Sequence, residues 1–190
     1  MANNNARRGF AALALYALAS CGPAPAEGDQ DQPVMNTTAQ PSAAALDARP
    51  SFPIDEVDAR DLIDSLGAPW REPVADDTRA DSFSGGYVRQ MAFKGRSVGI
   101  YTLANAKVWN LQVRSGYGEQ CGSGDDIAPH IARIYQAVRP GQSLDATQLA
   151  TLQRGLTIEA GERLDLEGVR IKTFGTCIKL LDVRVGSDAE

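Results

Sequence analysis

Histidine occurs once in these 190 residues and cysteine three times, and 19 lysines and arginines face 24 acids for a net charge of −5. Each scarcity removes a class of function. With His130 alone and no cysteine cluster, a zinc site has too few of its usual ligands, so no metal or cofactor is expected. A general nucleic-acid or anionic-membrane binder needs a basic surface that so acidic a chain does not supply. The apolar run from Gly9 to Leu18, broken only by Tyr16, is about half the ~20 residues a membrane-spanning helix needs. No catalytic constellation emerges from what remains.

What is present starts at the N-terminus. Arg7 and Arg8, the apolar run and the small residues before Cys21 have the three-part layout of a bacterial export signal over residues 1–20. Leu18-Ala19-Ser20-Cys21 resembles the lipobox of bacterial lipoproteins. That resemblance implies cleavage before Cys21, a diacylglyceryl group on its sulfur and acylation of its new amine. Several acyl chains make a stable anchor where one binds marginally. Gly22 follows the cysteine where an Asp would sort to the inner membrane, so the resemblance implies a periplasmic domain held at the outer membrane. Arg7-Arg8-Gly9-Phe10 also matches the core of twin-arginine signals, although its flanks match poorly.

Once Cys21 is assigned to lipid, Cys121 and Cys177 remain, and an oxidising compartment makes a disulfide between them the expected state. In the chain-entropy picture, closing a loop of roughly 57 residues contributes about 4 kcal/mol. The bridge would also remove the thiolate that a Cys121/His130 hydrolytic pair needs.

Residues 21–51 carry Pro23, Pro25, Pro33, Pro41 and Pro50 and few large apolar side chains, the composition of a tether. Residues 52–190 form one domain, long enough to bury about two thirds of its unfolded surface. Its first helix reads as capped by Asp58, with Ala59, Leu62, Ile63 and Leu66 on one face, and ends before Gly67 and Pro69. A polar loop through Asp76 and Asp77 follows. Strands are expected at Tyr87 to Phe93, Ser97 to Leu103 and Lys107 to Ser115, joined by loops short enough for hairpins. Alternation in the last of these puts Trp109, Leu111 and Val113 on the core face.

The loop Gly116 to Gly124 lacks the third glycine of a dinucleotide fingerprint, Cys121 standing in its place, and reads as a flexible loop around the disulfide. Asp125 or Asp126 is expected to cap a helix over Ile127 to Val138, ended by Pro140-Gly141. Asp145 caps a third helix through a capping box with Gln148, and Gly155 stops it. Strands are then expected at Leu156 to Ile158, Arg163 to Leu166, Val169 to Phe174 and Cys177 to Val185. The fold class is α+β, antiparallel meanders packed with three short helices. The parallel between Val57-Asp58-Ala59-Arg60-Asp61-Leu62 and Leu144-Asp145-Ala146-Thr147-Gln148-Leu149 allows two related halves, or capping chemistry alone.

Asp61-Leu62-Ile63-Asp64-Ser65-Leu66-Gly67-Ala68-Pro69, a helix ending in Leu-Gly-x-Pro before a meander, is similar to the small outer-membrane lipoprotein accessory of the barrel-assembly machine over about sixty residues. Asp55-Glu56 stands where that family has a Gly-x-Thr opening, and this chain carries an additional half. The resemblance implies a non-catalytic scaffolding role beside an envelope protein. Aromatic residues and Arg dominate binding hot spots, which singles out Trp70 and the loop Arg79 to Tyr87 as partner-binding candidates, with Trp70 as a core cap the alternative. The rival class is an envelope enzyme acting through Asp76, Asp77, Asp81 or Asp125, paired acids whose environments would have to separate their pKa values.

Overall fold

A computed structural model describes residues 48–116 and 120–186, all within one of two units of the chain, Ala39–Glu190. Residues 1–47, and with them the export segment, Cys21 and most of the tether, lie outside the described residues. Among the described residues three helices, α1 (Glu56–Asp64), α2 (Ile131–Val138) and α3 (Ala146–Gly155), accompany seven strands. In chain order these are β1 (Ala75–Ala80), β2 (Tyr87–Phe93), β3 (Arg96–Thr102), β4 (Val108–Ser115), β5 (Glu162–Leu166), β6 (Val169–Gly175) and β7 (Lys179–Val185). Every pairing is antiparallel, in the order β1-β2-β3-β4-β7-β6-β5. Two meanders are thus joined into one sheet where β4 meets β7.

Caps set the helix starts. Asp55, not Asp58, is the N-cap of α1: its carboxylate accepts from the backbone of Val57 and Asp58, and Asp58 reaches back to the Asp55 N–H. Either Asp satisfies the local rule, and the bridge of Asp55 to Lys107 selects the earlier one. Asp145 and Gln148 form the expected capping box of α3. Helix α2 begins later than expected, after 3₁₀ turns at Gly124–Asp126 and Ala128–His130, because Pro129 interrupts the first turn. Asp126 does not cap it. Its carboxylate accepts from Ser115 Oγ at 2.5 Å and pairs with Arg96, tying the turn to β3 and β4.

Cross-strand partners share a face of the sheet. Met91, Val98, Val113 and Leu181 make one row, and Ile100, Leu111, Val183 and Ile171 the next. The helices lay Ala59, Leu62, Ile63, Ile131, Ile134, Tyr135, Val138 and Leu152 against these rows in one buried cluster. Each such side chain removed from water contributes about 1.5–3 kcal/mol, which makes this face the source of stability.

Two expectations fail in instructive places. Residues 75–80, expected as loop, form β1, an edge strand with all six residues exposed, so no apolar alternation could announce it. Leu156 to Ile158, expected as strand, is the turn after α3, where Leu156 caps the helix and buries its side chain. Cys121 and Cys177 are bonded, with Cα atoms 4.4 Å apart. The bond lies beside the Ser115–Lys179 pair at the ends of β4 and β7, so it staples the seam between the meanders. Gly122 donates to the Cys177 carbonyl at 2.8 Å, and a Cβ on it would lie 2.2 Å from the Ser115 carbonyl carbon. Only glycine permits that approach.

Candidate functional site

Among the described residues, no helix lies on the opposite face of the sheet. Its rows read Val88, Tyr101, Asn110, Arg184, Arg170 and Asp165, then Gln90, Gly99, Gln112, Asp182, Lys172 and Arg163. On strands β4 to β7 this face carries Arg114, Arg163, Arg170, Lys172 and Arg184 against Asp165 and Asp182, a local excess of cations on an acidic chain.

A β-bulge creates its most structured part. Tyr101 pairs with Asn110, but the next residue, Thr102, pairs with Val108, so Trp109 is the additional residue on β4. The bulge turns Val108 into the core, fully buried, and Trp109 out beside Asn110. The expectation that Trp109 shares the core face with Leu111 and Val113 therefore holds only for the latter two. The Trp109 ring meets Tyr101 edge to face and Phe83 at a tilt, with centroids 6.0 Å apart in each case.

Phe83 is 71% exposed. It is presented by a loop organised on Asp81, whose carboxylate accepts from Phe83 N at 3.1 Å and Ser84 Oγ at 2.7 Å. Gly86 closes this loop against β3, where a Cβ would sit 1.9 Å from the Thr102 carbonyl oxygen. The Arg49 guanidinium stands 5.7 Å over the Phe83 ring. Phe83, Tyr101 and Trp109 with Asp81, Asn110, Gln112 and Arg184 line a recess of about 280 Å³. Arg184 also lines a second, of about 800 Å³, with Arg163, Lys172, Phe174 and Asp182 among its walls. The two recesses meet at Arg184 of β7, which lines both.

Two polar atoms in the first recess's walls lack a partner. Asn110 is 2% exposed, and its Oδ1, like Trp109 Nε1, is buried without a hydrogen bond. A buried donor or acceptor left unmade costs about 1–3 kcal/mol, so such groups tend to be reserved for something. Gln112 by contrast accepts from Tyr101 Oη at 3.3 Å and Arg114 at 2.6 Å. On the outer strands Arg163 and Arg170 both bond Asp165, and they hold its carboxyl below the usual carboxylate range.

The residues singled out from sequence are scattered. Trp70 is not a surface anchor: it is 1% exposed, packed edge to face on Phe93 at 5.8 Å beneath the Arg96 guanidinium, because the 3₁₀ turn Ala68–Trp70 swings it under the sheet. Arg79 and Tyr87 are both exposed but face opposite ways, since Arg79 pairs with Val88 and Tyr87 with Ala80. Asp76 lies on the helix side, where Arg89 binds it at 2.7 and 2.8 Å. These hydrogen bonds lower its pKa against the effect of burial, with Arg60 adding at 3.2 Å. Asp77 is on the other face of the same strand, Asp81 holds its own loop, and Asp125 sits in an exposed turn, so the four acids do not converge. His130 is held toward its neutral form by burial and by Arg133, with Asp126 opposing. Cys121 has no free thiol to pair with it. The bulge, and with it the Trp109–Asn110 pair, has no signature in the sequence, whereas the loop bearing Phe83 lies within Arg79 to Tyr87.

No described helix is long and apolar enough to cross a membrane, and no group of three potential metal ligands occurs among the described residues. No protein-family model, curated protein or solved structure matches this chain.

Proposed function

We propose that this chain is a lipid-anchored, non-catalytic binding module of the cell envelope, tethered through Cys21 with its folded domain in the periplasm. One observation carries the binding role: the sheet commits one face to the helices and spends the other on aromatic, amide and cationic side chains around two adjoining recesses. Concave sites with a few convergent polar groups are where ligands bind. The signal-like N-terminus and the proline-rich stretch to residue 51 supply the anchor and reach. The likeness of Asp61 to Pro69 to an envelope accessory lipoprotein agrees with a scaffolding role and contributes no binding residue.

Topology also supports reading the domain as two related halves. Helix α1 precedes β2 to β4, α3 precedes β5 to β7, and the last strands of the two meanders pair antiparallel. Homologues whose halves converge on one sequence pattern would strengthen that reading, and halves with no common pattern would remove it.

A photo-crosslinking residue placed in the full lipidated protein tests the binding role. At Phe83 or Arg163 it should give adducts in intact cells, and at Asp61 or Glu72, exposed positions away from that face, it should not. Adducts from the latter pair alone would overturn the assignment. Cys21→Ser should release the protein from the membrane fraction, and retention there would sink the anchor.

A further inference from the structure

Strand β1 leaves one edge of the sheet open: all six of its residues are exposed, and among the described residues no strand lies beyond it. Such an edge is a template for a further strand, and proteins commonly guard it with charge. Asp81 N–H donates to the Gly86 carbonyl at 2.9 Å across the β1–β2 hairpin. Backbone direction alternates along an antiparallel strand, so Arg79, Asp77 and Ala75 also turn N–H and C=O toward β2, and Ala80, Thr78 and Asp76 turn theirs outward. The Asp77 and Arg79 side chains lie on the face turned away from the described helices, and neither has a hydrogen bond or ion pair among the described residues. The other open edge differs, because Asp165 of β5 is already bonded by Arg163 and Arg170 of its own chain.

We propose that β1 pairs antiparallel with β1 of a second copy of this chain, the two-fold axis passing through Thr78 and joining the two sheets into one. Identical antiparallel strands are related by an axis normal to the sheet, which keeps the helices of both copies on one side. In this register Thr78 faces Thr78 of the second copy and Asp76 faces its Ala80, all residues whose backbone groups turn outward, so each pair exchanges hydrogen bonds. Between them, at the closer non-hydrogen-bonded positions, Asp77 meets Arg79 of the second copy and Arg79 meets its Asp77. The charges alternate in sign around the axis. An edge guarded against its own copy would set like charges opposite one another, which this register does nowhere. An axis through Asp76 would oppose two Asp76 carboxylates, and one through Ala80 would run the pairing into the loop that Asp81 organises. The dimer depends neither on the lipid anchor nor on what the recesses bind.

Disulfide trapping of the purified full chain in mild detergent tests the pairing. Facing Cα atoms of a hydrogen-bonded pair lie about 5.5 Å apart, within disulfide reach, so Thr78→Cys should give a linked dimer under mild oxidation. Gln153→Cys, exposed on α3 beside β5 and β6, should give at least about tenfold less. In the Thr78→Cys chain, Asp77→Arg or Arg79→Asp should each weaken the dimer by about tenfold. Asp77→Arg and Arg79→Asp together should restore it, because the exchange rebuilds both pairs with opposite signs. All four positions are exposed, so the fold does not depend on them. Equal trapping from Thr78→Cys and Gln153→Cys overturns the pairing, as do single reversals without effect or a loss that the double variant does not restore. A photo-crosslinking residue at Thr78 that captures other proteins in cells, and never this chain, overturns the second copy as the occupant of the edge.

Discussion

The two faces of the sheet are built from the same strands and answer to different demands. Toward the helices, rows such as Ile100, Leu111, Val183 and Ile171 are apolar throughout and almost wholly buried. One residue along each strand, the rows hold Tyr101, Asn110, Arg184 and Arg170, ring, amide and charge in sequence. Both faces keep buried polar atoms unbonded, Thr173 Oγ1 on the first and Asn110 Oδ1 and Trp109 Nε1 on the second, but only the second gathers them beside a recess. Stability and recognition are thus divided by the pleat, and the bulge at Trp109 is where a residue crosses from one to the other.

The two tryptophans test this division most directly. Trp70→Ala, in the core, should cost about 3–5 kcal/mol in denaturant unfolding. Trp109→Ala, half-buried on the other face, should cost about 1–2 kcal/mol, because it removes less buried surface and also deletes an unsatisfied donor. Equal costs would mean that the second face is as much core as the first. Reducing the disulfide should lower stability by up to about 4 kcal/mol, since it closes a loop with a sequence separation of 56 across the seam of the meanders. A melt unchanged by reductant would show that β4–β7 pairing alone holds the seam.

Smaller effects probe the rim of the helix face. Asp76→Asn should destabilise by about 1 kcal/mol at neutral pH, a modest figure because the Asp76, Arg89 and Arg60 side chains are a quarter or more exposed. The folded protein holds the Asp76 pKa below its ordinary 3.8. Its contribution is therefore present above that value and is lost as pH falls through the lower folded one, so wild type and variant should converge in stability once Asp76 is protonated in the folded state. A gap that persists there would assign the effect to something other than the charge. Phe83→Ala should change stability by less than about 0.5 kcal/mol, since its ring is 71% exposed, and a larger loss would mean that the ring packs against more than Trp109 and Arg49.

Much of the helix face was legible beforehand. Ala59, Leu62 and Ile63 in α1, the Asp145–Gln148 capping box, and Leu111 with Val113 in β4 all follow local periodicity or capping. The candidate site was far less so. Strict alternation places Trp109 on the core face, where the bulge turns it outward, while the chemistry of Trp70 fits either a surface anchor or a core cap, and the structure makes it the cap. Strand β1 carries no apolar residue larger than alanine, and only its ladder to β2 makes it a strand.

What the sequence determined by itself is what a few consecutive residues can enforce: the capping box at Asp145, the helix stripes and most strands. Tertiary structure decided the rest. That β4 pairs with β7, that residues 75–80 become an edge strand, and that Trp109 turns outward all depend on register between strands distant in the chain. A bulge is a property of two strands together, with no signature in either one alone, and here it places Trp109 and Asn110 side by side on the face turned away from the described helices.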